Sequence, residues 1–141
     1  MSEQLATFTL CGHLYGVPVA RVQEVLQGQL ATRVPLAPGA VAGLMNLRGE
    51  VVLVLDLRRR LSLPDRDDDT APMSVVVRVD GEVISLLVDR IGDVVDVDSH
   101  IFEPPPETLS GPARELIEGA FKLQDRLLLA LDVDRAVTVA A

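Results

Sequence analysis

At 141 residues the chain has room for one domain with a shared core, or for two small lobes that cannot each bury enough surface to stand alone. A net charge of −8, from 13 basic and 21 acidic residues, opposes contact with nucleic-acid phosphates, and one Tyr, three Phe and no Trp leave few stacking platforms. Apolar residues make up 48% of the chain, yet its longest aliphatic runs, 51–55 and 127–131, are strand-sized and too short to cross a bilayer. The opening MSEQLATFTL lacks the basic-then-apolar order of a secretory signal, so residence in the cytoplasm is the expectation. Cys11 is the single cysteine, so it has no internal disulfide partner and is expected to pack within an apolar strand. Every basic residue except Lys122 is an arginine, which genome composition explains without a function.

In chain order, segments 6–10 and 14–19 predict two strands joined at Cys11-Gly12, with a weaker strand signal over 22–26 and 32–34. The run 51–56 is a further strand, and 57–63 behind it has the length of two helical turns, with Arg58 to Arg60 in solvent. Residues 64–72, PDRDDDTAP, are polar and bounded by prolines, which makes them an exposed connection. Asp65, Asp67, Asp68 and Asp69 crowd it, but the glycine and the closing glutamate of an EF-hand loop are missing, so a solvated loop without metal is expected. Strands over 75–79 and 83–88 flank Asp80-Gly81, a dipeptide suited to the positive φ values of a tight hairpin turn. A weaker strand at 93–97 precedes the extended Pro104-Pro105-Pro106. Residues 112–118 read as a short helix with Pro112 near its start and Ser110 as its cap, and 127–132 is the last strand.

The chain also contains a faint copy of itself. Residues 41–61 (VAGLMNLRGEVVLVLDLRRRL) lie on 117–137 (IEGAFKLQDRLLLALDVDRAV), matching Gly43/Gly119, Leu47/Leu123, Leu53/Leu129, Leu55/Leu131, Asp56/Asp132 and Arg59/Arg135 at an offset of 76. Upstream, 10–26 lies on 79–95 at an offset of 69, matching Gly12/Gly81, Val19/Val88 and Arg21/Arg90, and Pro35/Pro104 keep that spacing. The offsets differ by 7, so one connection is longer in the second copy. Two blocks repeated in the same order predict a duplicated, mostly β unit whose halves pack together. Asp56 and Asp132 each end an aliphatic strand, where a carboxylate accepts turn or helix-start amides; an acid/base couple is the alternative. The remaining inventory is poor for catalysis, with His13 and His100 the only histidines, no metal-ligand spacing and no phosphate-cradling loop, so no cofactor is expected.

The segment Val41-Ala42-Gly43-Leu44-Met45-Asn46-Leu47-Arg48-Gly49, running into the 50–55 strand and Asp56-Leu57-Arg58, resembles the CheW family of chemosensory adaptors. That family carries G-x-x-N-L-R-G ahead of an aliphatic strand ending D-L-R. Phe8-Thr9-Leu10, Tyr15-Gly16-Val17 and Val22-Gln23-Glu24-Val25 follow its opening, Val88-Asp89 with Ile91 follows its V-D-x-V element, and 101–104 and Gly119 also fit. The resemblance spans roughly residues 5 to 135. It implies an all-β fold of two five-stranded SH3-like barrels with short helices around a shared core. The single domain would cover 5–137, with lobes near 13–63 and 73–137 and an N-terminal strand open to sharing between them. It further implies a non-enzymatic, cytoplasmic adaptor at the receptor array, coupling the cytoplasmic tips of chemoreceptors (methyl-accepting chemotaxis proteins) to the regulatory domain of a CheA-type histidine kinase. Nucleic acid and direct membrane insertion play no part in that role. A CheW-like adaptor of twitching motility or surface sensing is the alternative within the family, and a small β-barrel enzyme is the distant one. Two departures stand out: Ser85 occupies a place where the family usually has Gly, and the chain finishes DRAVTVAA where many members end in a helix, which is expected to alter one partner surface.

By resemblance, Val22, Glu24, Gly43, Arg48, Ile91 and Val94 form the partner-binding surface. The five-donor fork of Arg48 either meets receptor acceptors or pairs with an internal carboxylate such as Glu24 or Asp56. Val22 and Glu24 share one side if their segment is extended. Val22, Ile91 and Val94 are groove wall or core, and Gly43 admits a partner helix or serves a positive-φ turn. Such a groove suits an amphipathic helical hairpin, through a small interface of about 1,200 Å² or less at micromolar affinity, about −8 kcal/mol, strengthened in arrays by linked contacts. Arg48→Glu is expected to weaken receptor binding at least about 30-fold, as at a hot spot. Kinase contacts are expected at apolar strand ends, one barrel against a related barrel.

Overall fold

The computed structural model describes residues 3–27, 31–67, 71–98 and 100–138. Among them, Val-, Leu- and Ile-rich runs broken by Gly, Asp and Pro form the strands β1 (Gln4–Leu10), β2 (His13–Pro18), β3 (Val22–Gln27), β4 (Val41–Leu47), β5 (Glu50–Asp56), β6 (Met73–Val79), β7 (Glu82–Val88), β8 (Arg90–Asp96), β9 (Phe102–Glu103), β10 (Ile117–Lys122) and β11 (Leu127–Leu131). Short helices are α1 (Leu57–Arg60), α2 (Pro112–Leu116) and α3 (Val133–Val137). The strands build two sheets, ordered β8-β1-β2-β11-β10-β9 and β3-β6-β7-β5-β4. Leu5, Leu14, Val97 and Leu128 cluster on the first sheet, and Met45, Val52, Val54, Val76 and Leu87 on the second. A larger cluster joins the two, with Phe8, Val17, Leu55, Val77, Leu86 and Leu131 among its members. The result is the expected all-β architecture on a shared core.

The duplication is visible strand by strand. The turns Cys11-Gly12 and Asp80-Gly81 have the same φ pair, 51° then 81°. Parallel pairing recurs as β2 with β11 and β5 with β7, and a bulge follows Val41 in β4 as it follows Ile117 in β10. Exchanging β1 for β6, β2 for β7, β3 for β8, β4 for β10 and β5 for β11 converts one sheet order into the other, with the short β9 as an addition. Each sheet nevertheless mixes the two halves. The β1–β2 hairpin lies with β8, β10 and β11, and the β6–β7 hairpin lies with β3, β4 and β5. The halves have therefore exchanged their leading hairpins. The sheets group 22–88 in one and 4–18 with 90–131 in the other, which corrects the expected lobes at 13–63 and 73–137. The 64–72 connection marks the repeat boundary, whereas strand pairing follows the exchange. Residues 19–21, and Asp89 alone in the second copy, carry the chain from one sheet to the other.

Local chemistry adjusts several sequence expectations. Cys11 lies in a turn at φ 51° instead of within a strand. The helix expected over 112–118 stops at Leu116, because Ile117 pairs into β10, and it starts behind Gly111 at φ 62° without a side-chain cap from Ser110. Asp56 and Asp132 accept the N–H groups of Arg58 and Arg135, so the repeated aspartates are helix caps. Arg58 and Arg60 are not solvated: Arg58 binds Asp89, and Arg60 donates to the carbonyls of Arg135, Ala136 and Thr138, tying α1 to α3. Ser85 is fully buried on the β6–β7 face, and its hydroxyl, like that of Ser74, has no hydrogen-bond partner among the described residues. In the acidic connection Asp65 pairs with Arg59 at 3.1 Å, while Asp68 and Asp69 lie outside the described residues.

Candidate functional site

The five-stranded sheet leaves β3 and β4 as its two edges, and one ion pair spans them. Arg48 and Gly49 form the β4–β5 turn at φ 53° and 89°, the conformation a two-residue hairpin turn requires. Asn46 Oδ1 accepts the Gly49 N–H at 2.9 Å and fixes that turn. From it the guanidinium reaches Glu24 on β3, with Nη2 donating to Oε1 at 2.6 Å and Nη1 to Oε2 at 2.5 Å. Those hydrogen bonds hold the Glu24 carboxyl below its usual pKa against the opposing effect of desolvation, with Gln23 and the Arg48 charge adding to them. The Arg48 side chain stays 69% exposed while Glu24 is 18% exposed, so the remaining N–H donors of the fork face solvent. The internal partner and an outward-facing cation therefore coexist. The repeat places Asp93 and Gln124 where Glu24 and Arg48 stand (93 − 24 = 69; 124 − 48 = 76), so the second barrel has no guanidinium in that position.

Val22 and Ile91 are repeat partners, as are Val25 and Val94, each 69 apart. They occupy β3 and β8, the edge strands that follow the two crossings, and both strands are bulged. Val22 packs against the shared core, whereas Val25, Ile91 and Val94 are 41%, 36% and 55% exposed. Val25 was not among the expected site residues, although its repeat relation to Val94 was readable. Gly43 stands apart from this surface. It is buried at the β4 bulge, where a Cβ would lie 2.3 Å from the Thr32 carbonyl oxygen. At Gly119 a Cβ would lie 2.5 Å from the Glu103 oxygen. Both glycines admit the chain's own backbone, and Gly43 also keeps a positive φ of 151°, within a strand bulge instead of a turn.

The D-L-R and V-D segments meet each other. Arg58 Nε donates to Asp89 Oδ1 at 2.8 Å and Nη2 to Oδ2 at 2.5 Å, and the Cys11 N–H reaches Oδ2 at 2.9 Å. Arg66 bridges Asp56 and Asp89 at 3.2 and 3.3 Å. Burial pushes the Asp89 carboxyl up, but the Arg58 and Cys11 hydrogen bonds and the charges of Arg58 and Arg66 leave it below its usual value. These motif residues hold the fold at the β7–β8 crossing.

Comparison with known proteins agrees with this geometry over nearly the full length. The profile of the CheW-like domain matches residues 4–141. The chemotaxis protein CheW of Bacillus subtilis is 30% identical over 132 residues, covering 94% of this chain and 85% of its own. That of Treponema pallidum is 29% identical over 136 residues, covering 94% and 80%. Among solved structures, the scaffolding protein TtCheW from Thermoanaerobacter tengcongensis superposes with a TM-score of 0.85 at 27% identity, covering 99% of this chain and 90% of that one. The two barrels are SH3-like, and the chain belongs to the CheW-like domain family.

Proposed function

We propose that this chain is a non-enzymatic adaptor that couples chemoreceptor tips to a CheA-type histidine kinase and acts in the cytoplasm at the receptor array. The observation that carries the reading is the exposed Arg48 fork, held in one pose by Glu24, on a molecule whose edge strands also expose Val25, Ile91 and Val94. A preorganised cation with an aliphatic surface suits an amphipathic helix that carries acceptors. Membership of a family whose relatives are chemotaxis and scaffolding proteins supports the same role. No helix among the described residues is long and apolar enough to cross a membrane, and the net charge of −8 disfavours nucleic acid.

Capture of partners from the host lysate with tagged wild type and Arg48→Glu tests the proposal. Wild type recovers a CheA-like kinase with receptors, and the folded variant keeps the kinase and loses the receptors. Equal receptor recovery by the variant defeats the role of Arg48, and recovery of neither partner from an expressing host defeats the coupling role.

A further inference from the structure

The two barrels carry half-open clefts of similar volume at equivalent places, about 410 and 430 Å³, and one of them has an added flank. On the five-stranded sheet, the cleft is lined by Glu50, Val51 and Glu82. In the other barrel the repeat substitutes Arg126 for Glu50, Leu127 for Val51 and His13 for Glu82, so two carboxylates give way to a guanidinium and an imidazole. There the cleft, of about 430 Å³, gains a flank from Leu63, Pro106, Leu109 and Ala113. Most of that flank comes from the stretch that lengthens the second copy by seven residues (119 − 104 = 15 against 43 − 35 = 8). It is fixed in place: Leu109 and Ala113 pack on the shared core, and the Leu109 N–H donates to the Pro106 carbonyl at 3.0 Å.

The polar groups here include a cation that no carboxylate neutralises. Arg21, Arg48, Arg58, Arg59 and Arg66 pair with carboxylates, whereas the exposed side chains of Arg126 and His13, like those of Arg33 and Arg90, have no hydrogen-bond or ion-pair partner among the described residues. The cleft thus combines a mainly aliphatic lining with an unpaired guanidinium, within the size range of small-molecule sites. None of its lining residues belongs to the partner surface described above.

We propose that this cleft binds a small amphipathic monocarboxylate, its tail among Leu63, Leu109, Leu127 and Leu129 and its carboxylate on Arg126. The guanidinium fork matches a carboxylate in shape and charge. The site would give the scaffold a small-molecule input separate from the Arg48 surface.

Tyr15 lines the cleft and is the only tyrosine in a chain without tryptophan, so its emission reads occupancy directly. Burial, with Cys11 adding, raises its pKa and keeps the phenol neutral at the pH of the assay. Octanoate, octanol and octylamine serve as probes. Octanoate should change the emission saturably with a dissociation constant below about 1 mM, and octanol and octylamine should each bind at least about tenfold more weakly. Arg126→Ala should lose about tenfold for octanoate and nothing for octanol, and Ala113→Phe, which fills the cleft, should abolish both signals. Unchanged thermal unfolding of Arg126→Ala shows that the loss is local. Absence of saturable binding, equal affinity for octanoate and octanol, or undiminished octanoate binding by Arg126→Ala would overturn the proposal.

Discussion

Replacing Asp89 with Asn should loosen the point where the chain crosses between barrels. Its carboxylate accepts both Arg58 contacts and the Cys11 N–H, with Arg66 3.3 Å away. The Arg58 and Asp89 side chains are only 14% and 11% exposed, so water replaces little of what is lost. The amide keeps the shape, but its NH₂ faces a guanidinium that also donates, and Arg58 and Arg66 lose a counter-charge. Breaking a buried pair costs 3–5 kcal/mol as a rule, and with Asp56 still beside Arg66 the expected loss is about 3 kcal/mol. At about 3 °C per kcal/mol for a chain of this size, the melting temperature falls by about 10 °C. The pH dependence has a definite sign. Because the folded carboxyl lies below its usual value, its stabilisation is complete above the unfolded pKa of about 3.9 and disappears as pH falls through the folded value. Urea unfolding at neutral and at acid pH should therefore show the gap between wild type and Asp89→Asn widest near neutrality and shrinking below about pH 4. A loss under about 1 kcal/mol at neutral pH, or a gap that persists in acid, would refute the reasoning.

The same unfolding assay checks the packing glycines. Gly43→Ala places a Cβ 2.3 Å from a backbone oxygen that cannot swing aside, and should cost about 1–3 kcal/mol or more, while Gly39→Ala, with nothing within 4 Å, should stay within about 0.5 kcal/mol. Ser85→Ala removes a buried hydroxyl without a partner among the described residues and should raise stability by about 1 kcal/mol; a decrease would mean that the hydroxyl is bonded in solution. Since each hairpin is built into the opposite half's sheet, a chain nicked at an engineered protease site within 67–72 should stay one particle in size-exclusion chromatography and divide only in denaturant. Separation under native conditions would contradict the exchanged hairpins.

The legible part of the fold was its local part. Long aliphatic runs gave β5, β7 and β11, and Asp80-Gly81 gave its turn, because period and turn chemistry act over a few residues. Missed as strands were the two-residue β9 and also β4 and β10, whose glycines interrupt the apolar pattern for the sake of a close backbone approach that only the folded chain contains. The exchange itself has no local signature: a hairpin's own sequence does not say which half it joins. Arg58 to Arg60 read as a solvated run for the same reason, since the partner of Arg58 is 31 residues away and those of Arg60 are 75 to 78 away. Within the site, the Arg48–Glu24 pair was one of the stated alternatives. Burial of Gly43 followed from a contact with Thr32 that periodicity does not encode. The added flank of the second barrel's cleft was announced only as a difference of 7 between two offsets.

The most direct test of the coupling role is co-sedimentation of the purified protein with receptor cytoplasmic fragments and the regulatory domain of the host's CheA-like kinase, comparing wild type with Arg48→Glu. The account predicts a three-component complex with wild type and, with the folded variant, kinase binding intact and receptor affinity lowered at least about 30-fold. Full receptor affinity in the variant, or no complex with wild type, would contradict it.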